Sequence, residues 1–125
     1  MLKDSELTAV LPARDLQRAK AYYNEKLGLD PAEEVVGGLM YAMASGAPLL
    51  IYETDNAGSA KNTQVCWRTR DLESEMASLR GRGVVFEDYD FPGLKTEKGI
   101  ATMDGERTAW FTDSEGNILC ITQRI

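Results

Sequence analysis

The chain has 125 residues, 43% apolar and 27% charged, the proportions of one globular domain with its own core. Fourteen basic against twenty acidic residues leave a net charge of −6, which argues against nucleic acid or an anionic membrane as partner, since phosphate binding draws on clustered Lys and Arg. No apolar run approaches the roughly 18–20 residues of a membrane span, and Met1–Glu6 holds no apolar signal-peptide core, so the expectation is a cytoplasmic protein.

The first apolar strand, around Leu7–Leu11, leads into Arg14-Asp15-Leu16. Asp15 is placed to cap a helix, because its carboxylate can accept the free N–H groups of the first turn. Leu16, Ala19, Tyr23 and Leu27 follow at helical spacing and give one apolar face. Gly28 ends the helix, since glycine takes the left-handed terminal conformation cheaply. Three strands are predicted next, at Ala32–Val36, Leu39–Ala44 and Leu49–Thr54, separated by Gly37-Gly38 and by Ser45–Pro48. The small, polar segment 55–61 reads as a linker.

The same grammar then repeats. A strand at 63–68 leads into Arg70-Asp71-Leu72, 56 residues after the first Arg-Asp-Leu. Asp71 is the cap, Glu73 and Glu75 complement the helix dipole, Leu72, Met76 and Leu79 form the inner face, and Gly81 and Gly83 end the helix. Strands are predicted at Val84–Asp88, Arg107–Thr112 and Ile118–Gln123, the last two joined by a turn over 113–117. The stretch Tyr89–Glu106 is too long for a hairpin loop and reads as a lid with Gly99 and Gly105 as hinges, or as a surface loop. The order is βαβββ twice: an α+β fold of two modules, about 6–54 and 62–123, in a single domain.

Three signatures add a resemblance. Val10–Leu16 with Ala21-Tyr22-Tyr23 and Leu27-Gly28-Leu29 is similar to the opening strand and helix of the vicinal-oxygen-chelate superfamily, which holds glyoxalases, bleomycin-resistance proteins and dioxygenases. Ala109–Leu119 resembles its closing hairpin, with Ser114 where proline is common, and Tyr89–Leu94 resembles a loop of some small members. The resemblance implies two curled four-stranded mixed sheets that together enclose a cavity, contributed by one chain or by two, and a homodimer. It does not select an activity, because the family spans isomerases, lyases, epimerases, thiol transferases, dioxygenases and drug-binding proteins.

Metal-dependent members carry ligands at positions that fall here on Thr8, Leu50, Gln64 and Cys120. The family's usual set of His or Gln with Glu is thereby replaced by a set that suits no first-row ion, which normally takes about three ligands from His, Asp, Glu or Cys. The resemblance and this substitution imply a metal-independent member without a cofactor, binding an aromatic or amphipathic small molecule. The alternative is a lyase, isomerase or dioxygenase-like enzyme of the same superfamily.

Strand alternation assigns the cavity wall. Gln64, Cys66 and Arg68 share a face, as do Thr8 with Val10, Leu50 with Tyr52, and Ile118, Cys120 and Thr122. Ala9, Leu11, Val65 and Trp67 face the core, and Trp110 lies opposite to Phe111. The candidate ligand-binding set is Thr8, Val10, Leu50, Tyr52, Gln64, Arg68, Trp110 and Cys120: apolar surface with a few orienting polar groups. Trp110 and Tyr52 could equally fill the core, and Gln64 could satisfy strand ends. Cys66 and Cys120 are expected as buried, inert thiols. Arg68, facing a cavity, needs a partner such as Glu53, Asp113 or an anionic ligand. Glu6, Glu53, Glu106 and Tyr41 are available for proton transfer, but no motif marks any as catalytic.

Overall fold

The computed structural model describes all residues, 1–125. A single 3₁₀ turn, Leu2–Asp4, precedes strand β1, Ala9–Ala13. Helix α1, Leu16–Leu27, starts as predicted: Asp15 Oδ1 accepts from Arg18 N at 3.0 Å, and Gly28 closes it with φ of 70°. Strands β2 (Glu33–Val35), β3 (Gly38–Ala42) and β4 (Pro48–Glu53) follow. They form a sheet of order β1-β4-β3-β2, in which only β1 and β4 run parallel.

The second unit opens with β5, Thr63–Arg68, and α2, Leu72–Gly81, where Asp71 Oδ1 accepts from Ser74 N at 3.1 Å. Its sheet departs from the predicted strands. Val84–Asp88 forms no sheet strand and makes one isolated bridge, from Phe86 to Phe111. Val84 and Phe86 instead plug the core beneath α2. The place of that strand is taken by β8, Ala101–Met103, from within the stretch read as a loop. The same stretch also holds a small hairpin, β6 (Asp90–Phe91) with β7 (Leu94–Lys95), turning at Gly93. With β9 (Glu106–Thr112) and β10 (Ile118–Arg124) the order is β5-β10-β9-β8, again with one parallel pair.

One continuous core unites the halves. Leu11, Tyr23, Leu39, Tyr41 and Ile51 from the first unit pack in the same cluster as Leu72, Met76, Phe86, Phe111 and Leu119 from the second. Burial of such side chains contributes about 1.5–3 kcal/mol each relative to exposure. Arg82, just after α2, lays its guanidinium over Gly28 and donates to the Asn24 and Glu25 carbonyls, so one helix end neutralises the other's negative pole. Ala9 corrects its assignment to the core: it is exposed, at the open start of an edge strand.

The closing turn between β9 and β10 forms the principal polar seam. Glu115, with no exposed side-chain surface, accepts from Arg14 N and Asp15 N at 3.0 Å each, from Arg18 Nε at 2.7 Å and from Ser114 Oγ at 2.8 Å. Burial pushes this carboxyl up, but the Arg18 guanidinium, the Asp15 amide and the Ser114 hydroxyl overcome it and hold it at about 2. Beside it, buried Asp113 accepts from Tyr23 Oη at 2.7 Å and from the Asn117 side chain at 2.9 Å. Burial and that carboxylate together raise the Tyr23 phenol well above its ordinary value. Tyr23→Phe is expected to cost about 1.5–3 kcal/mol in a urea melt, the range for a hydrogen bond to a charged group.

Candidate functional site

Each sheet presents one face to α1, α2 and the core and leaves the other open. On the first sheet the register sets Val10 beside Leu50 and Pro12 beside Tyr52. These alternate with buried Leu11, Leu49 and Ile51, so Val10, Leu50 and Tyr52 share the open face. Thr8 lies just before β1. Val10 is 51% exposed and Tyr52 40% exposed, large apolar surfaces with no cover in one chain.

On the second sheet Cys120 pairs with Cys66 on one side and Trp110 on the other, and Thr122 pairs with Arg68. Trp110 is half-buried and donates from Nε1 to Thr63 Oγ1 at 3.0 Å. Tyr89 stands edge-on to the Trp110 ring at 5.6 Å and to Phe91 at 5.9 Å, and Phe91 is 52% exposed. The β6–β7 hairpin therefore extends an aromatic wall from the sheet, a contribution the sequence offered only as a loop motif. The predicted set thus falls into two groups, one per sheet. An apolar cavity of about 260 Å³ is lined by Leu27, Leu29, Trp67, Leu79 and Phe111, and of the predicted set only Arg68 also lines it.

Several polar assignments change. Arg68 pairs with Glu106, Nη2 to Oε1 at 3.4 Å, and not with Glu53 or Asp113; Arg124 Nε approaches the same oxygen at 3.9 Å. Asp113 is unavailable because it is buried in the Tyr23–Asn117 network. Gln64 satisfies a strand end: its Nε2 donates to Asn117 Oδ1 at 3.1 Å, and its Oε1 accepts from Ile118 N at 3.0 Å. Tyr41 faces the core, 1% exposed, with its hydroxyl unpartnered and its phenol pushed up to about 12, chiefly by burial. Glu6 and Glu53 are exposed, and Glu106 lies on the open face. Cys66 is exposed and corrects the expectation of two buried thiols; Cys120 is buried.

The residues at the family's metal positions do not fit a divalent ion. Leu50 has no donor atom, the Gln64 amide is committed at both ends to protein partners, and buried Cys120 is left as the one strong donor among these positions. No three His, Cys, Asp or Glu side chains converge as a ligand set.

Two βαβββ units with open concave sheets, a shared core and a hairpin beside one sheet define a class of small α+β proteins built around the hollow of curled sheets. Residues 7–121 match the family model of the Glyoxalase/Bleomycin resistance protein/Dioxygenase superfamily, and the chain belongs to that superfamily. Among solved structures it is similar to a glyoxalase/bleomycin resistance protein/dioxygenase from Alicyclobacillus acidocaldarius, with TM-score 0.73 and 19% identity over 98% of this chain and 92% of that one. It is similar to TnmS3, an antibiotic binding protein from Streptomyces sp. CB03234, with TM-score 0.67 and 22% identity over 98% of both chains. A mutant fosfomycin resistance protein from Listeria monocytogenes, complexed with Mn(II) and a dihydroxypropylphosphonic acid, matches at TM-score 0.68 and 12% identity, over 94% and 88% of the two chains. No curated protein matches it. None of its helices is long and apolar enough to cross a membrane.

Proposed function

We propose that this chain is a metal-independent binding protein for a small molecule with an aromatic ring, acting in the cytoplasm as a homodimer. The observation that carries this reading is the open aromatic wall of Trp110, Tyr89 and Phe91, facing a sheet surface whose few polar groups could orient a ligand. Candidate contacts are Val10, Leu50, Tyr52, Trp110 and the polar Thr8, Arg68 and Cys120, with Gln64 holding the strand end beside them. The exposed Val10 and Tyr52 support a dimer, since a partner's open face would cover them and complete the cavity from two chains. The antibiotic-binding and fosfomycin-resistance proteins among the structural relatives support a small antibiotic-like compound as ligand. The net charge of −6 favours a cationic one.

The test is a thermal-shift panel of aromatic and cationic antibiotics, followed by titration of any compound that raises Tm. A stabilising compound recovered unchanged after long incubation is the expected result. Steady conversion of it would establish an enzyme instead, and a panel without any shift would defeat the antibiotic reading. Trp110→Ala is expected to weaken that binding roughly 10–100-fold in a calorimetric titration, the effect of removing a central aromatic contact. Sedimentation of the free protein as a monomer would defeat the dimer.

A further inference from the structure

The open face of the second sheet carries two thiols side by side. Cys66 on β5 and Cys120 on β10 are direct partners in the parallel register, so both side chains leave the same face of neighbouring strands. Neighbouring strands lie about 4.8 Å apart, within the roughly 4.4–6.8 Å between Cα atoms that a disulfide spans. Both cysteines are free thiols, Cys66 exposed and Cys120 4% exposed. One sulfur is reachable by a small solute while the other waits beneath it. Arg68, two residues along the same face, brings a positive charge, held beside Glu106 by a 3.4 Å contact.

We infer that Cys66 and Cys120 form a redox-responsive dithiol, in which a hydroperoxide oxidises Cys66 and Cys120 resolves it as an intrachain disulfide. The Cys66 thiolate attacks the terminal peroxide oxygen and the O–O bond breaks. This gives a Cys66 sulfenic acid, and the leaving oxygen takes up a proton as water or an alcohol. The Cys120 sulfur then attacks the Cys66 sulfur, the S–S bond forms and the S–O bond breaks. The hydroxide departs as water with the Cys120 proton. Two thiols lose two electrons in total, and the peroxide gains them. A low-molecular-weight thiol restores the pair by exchange.

The electrostatics favour this order of events. The neighbouring Cys120 thiol lowers the Cys66 thiol below its ordinary value; partial burial and Glu106 oppose that shift, and Arg68 assists it. Cys120 is raised, first by its pairing with Cys66, then by burial, the Cys66 charge and Glu106. Once Cys66 becomes a neutral sulfenic acid, the part of that upward shift due to the Cys66 charge is removed, while burial and Glu106 still act on Cys120. The reaction needs no ligand, so its outcome is independent of the binding reading above.

The reduced protein, without ligand, is treated with one equivalent of hydrogen peroxide, denatured and alkylated, and its mass and peptides are read. The expected product lacks two hydrogens, takes up no alkylating agent and yields a Cys66–Cys120 linked peptide. Cys66→Ser, at an exposed position, is expected to leave Cys120 fully alkylated, with no cross-link. Cys120→Ala is expected to stop at a Cys66 sulfenic acid that dimedone traps. The proposal is overturned if wild-type protein keeps both thiols, if Cys66 proceeds to sulfinic acid while Cys120 still alkylates, or if the only disulfide joins two chains.

Discussion

Glu115→Ala is expected to lower folding stability by about 3–5 kcal/mol, read as a fall in the urea midpoint at unchanged slope. The carboxylate is buried, and it is the shared acceptor for two backbone amides at the start of α1 and for the Arg18 guanidinium. Truncation strands those donors, whereas Arg18, 53% exposed at its side chain, recovers part of its loss in water. Glu115→Gln keeps an oxygen for the amides but turns a donor pair towards Arg18, so an intermediate loss is expected. The pH dependence has a definite sign. The folded carboxyl sits at about 2, below its ordinary 4.5. Its contribution is therefore complete above about pH 4.5 and is lost as pH falls towards 2. Wild-type protein should lose stability over that window more steeply than Glu115→Gln, which has no carboxyl there to protonate. Parallel acid limbs in the two proteins would contradict this assignment.

Gly116→Ala should also be costly, by about 2–4 kcal/mol in the same measurement. Gly116 has φ of +84°, and a Cβ there would meet Gly58 Cα at 2.9 Å. The left-handed conformation alone costs a non-glycine residue about 1–2 kcal/mol. The remainder comes from the approach to backbone, which no rotamer change relieves. Gly46→Ala supplies the control, since Gly46 has φ of +88° with nothing within 4 Å of the added carbon. It should lose only the conformational part. Equal losses at the two glycines would show that the linker yields without resistance.

The sequence makes the local structure legible and the distant partnerships opaque. Asp15 and Asp71 are readable as caps because an N-cap is a contact three residues away. The sorting of Leu11 and Ile51 to one face, and of Val10 and Tyr52 to the other, follows from alternation. The second sheet's outer strand escapes the same reasoning. Val84–Asp88 has the stronger apolar pattern, but that pattern serves core plugging under α2. Ala101–Met103, only three residues long between polar turns, offers no period to detect. On the candidate site, Cys66 looks buried within an apolar run; its strand is at the sheet edge, a fact of topology. The partner of Arg68 is likewise invisible, because Glu106 lies 38 residues away and arrives through the β9–β10 pairing.

The Glu115 seam also bears on how the chain reaches its native state. Arg14 N and its acceptor are 101 residues apart, close to the full length of the polypeptide. The N-terminal strand and helix emerge first, yet the amides at their junction wait for the last hairpin. Their loop closes only after nearly everything between has been synthesised, and such distant closures slow folding relative to local ones. The first repeat thus depends on the last hairpin for the acceptor of its own amides, and a single cooperative unfolding transition is the expected behaviour of the two halves.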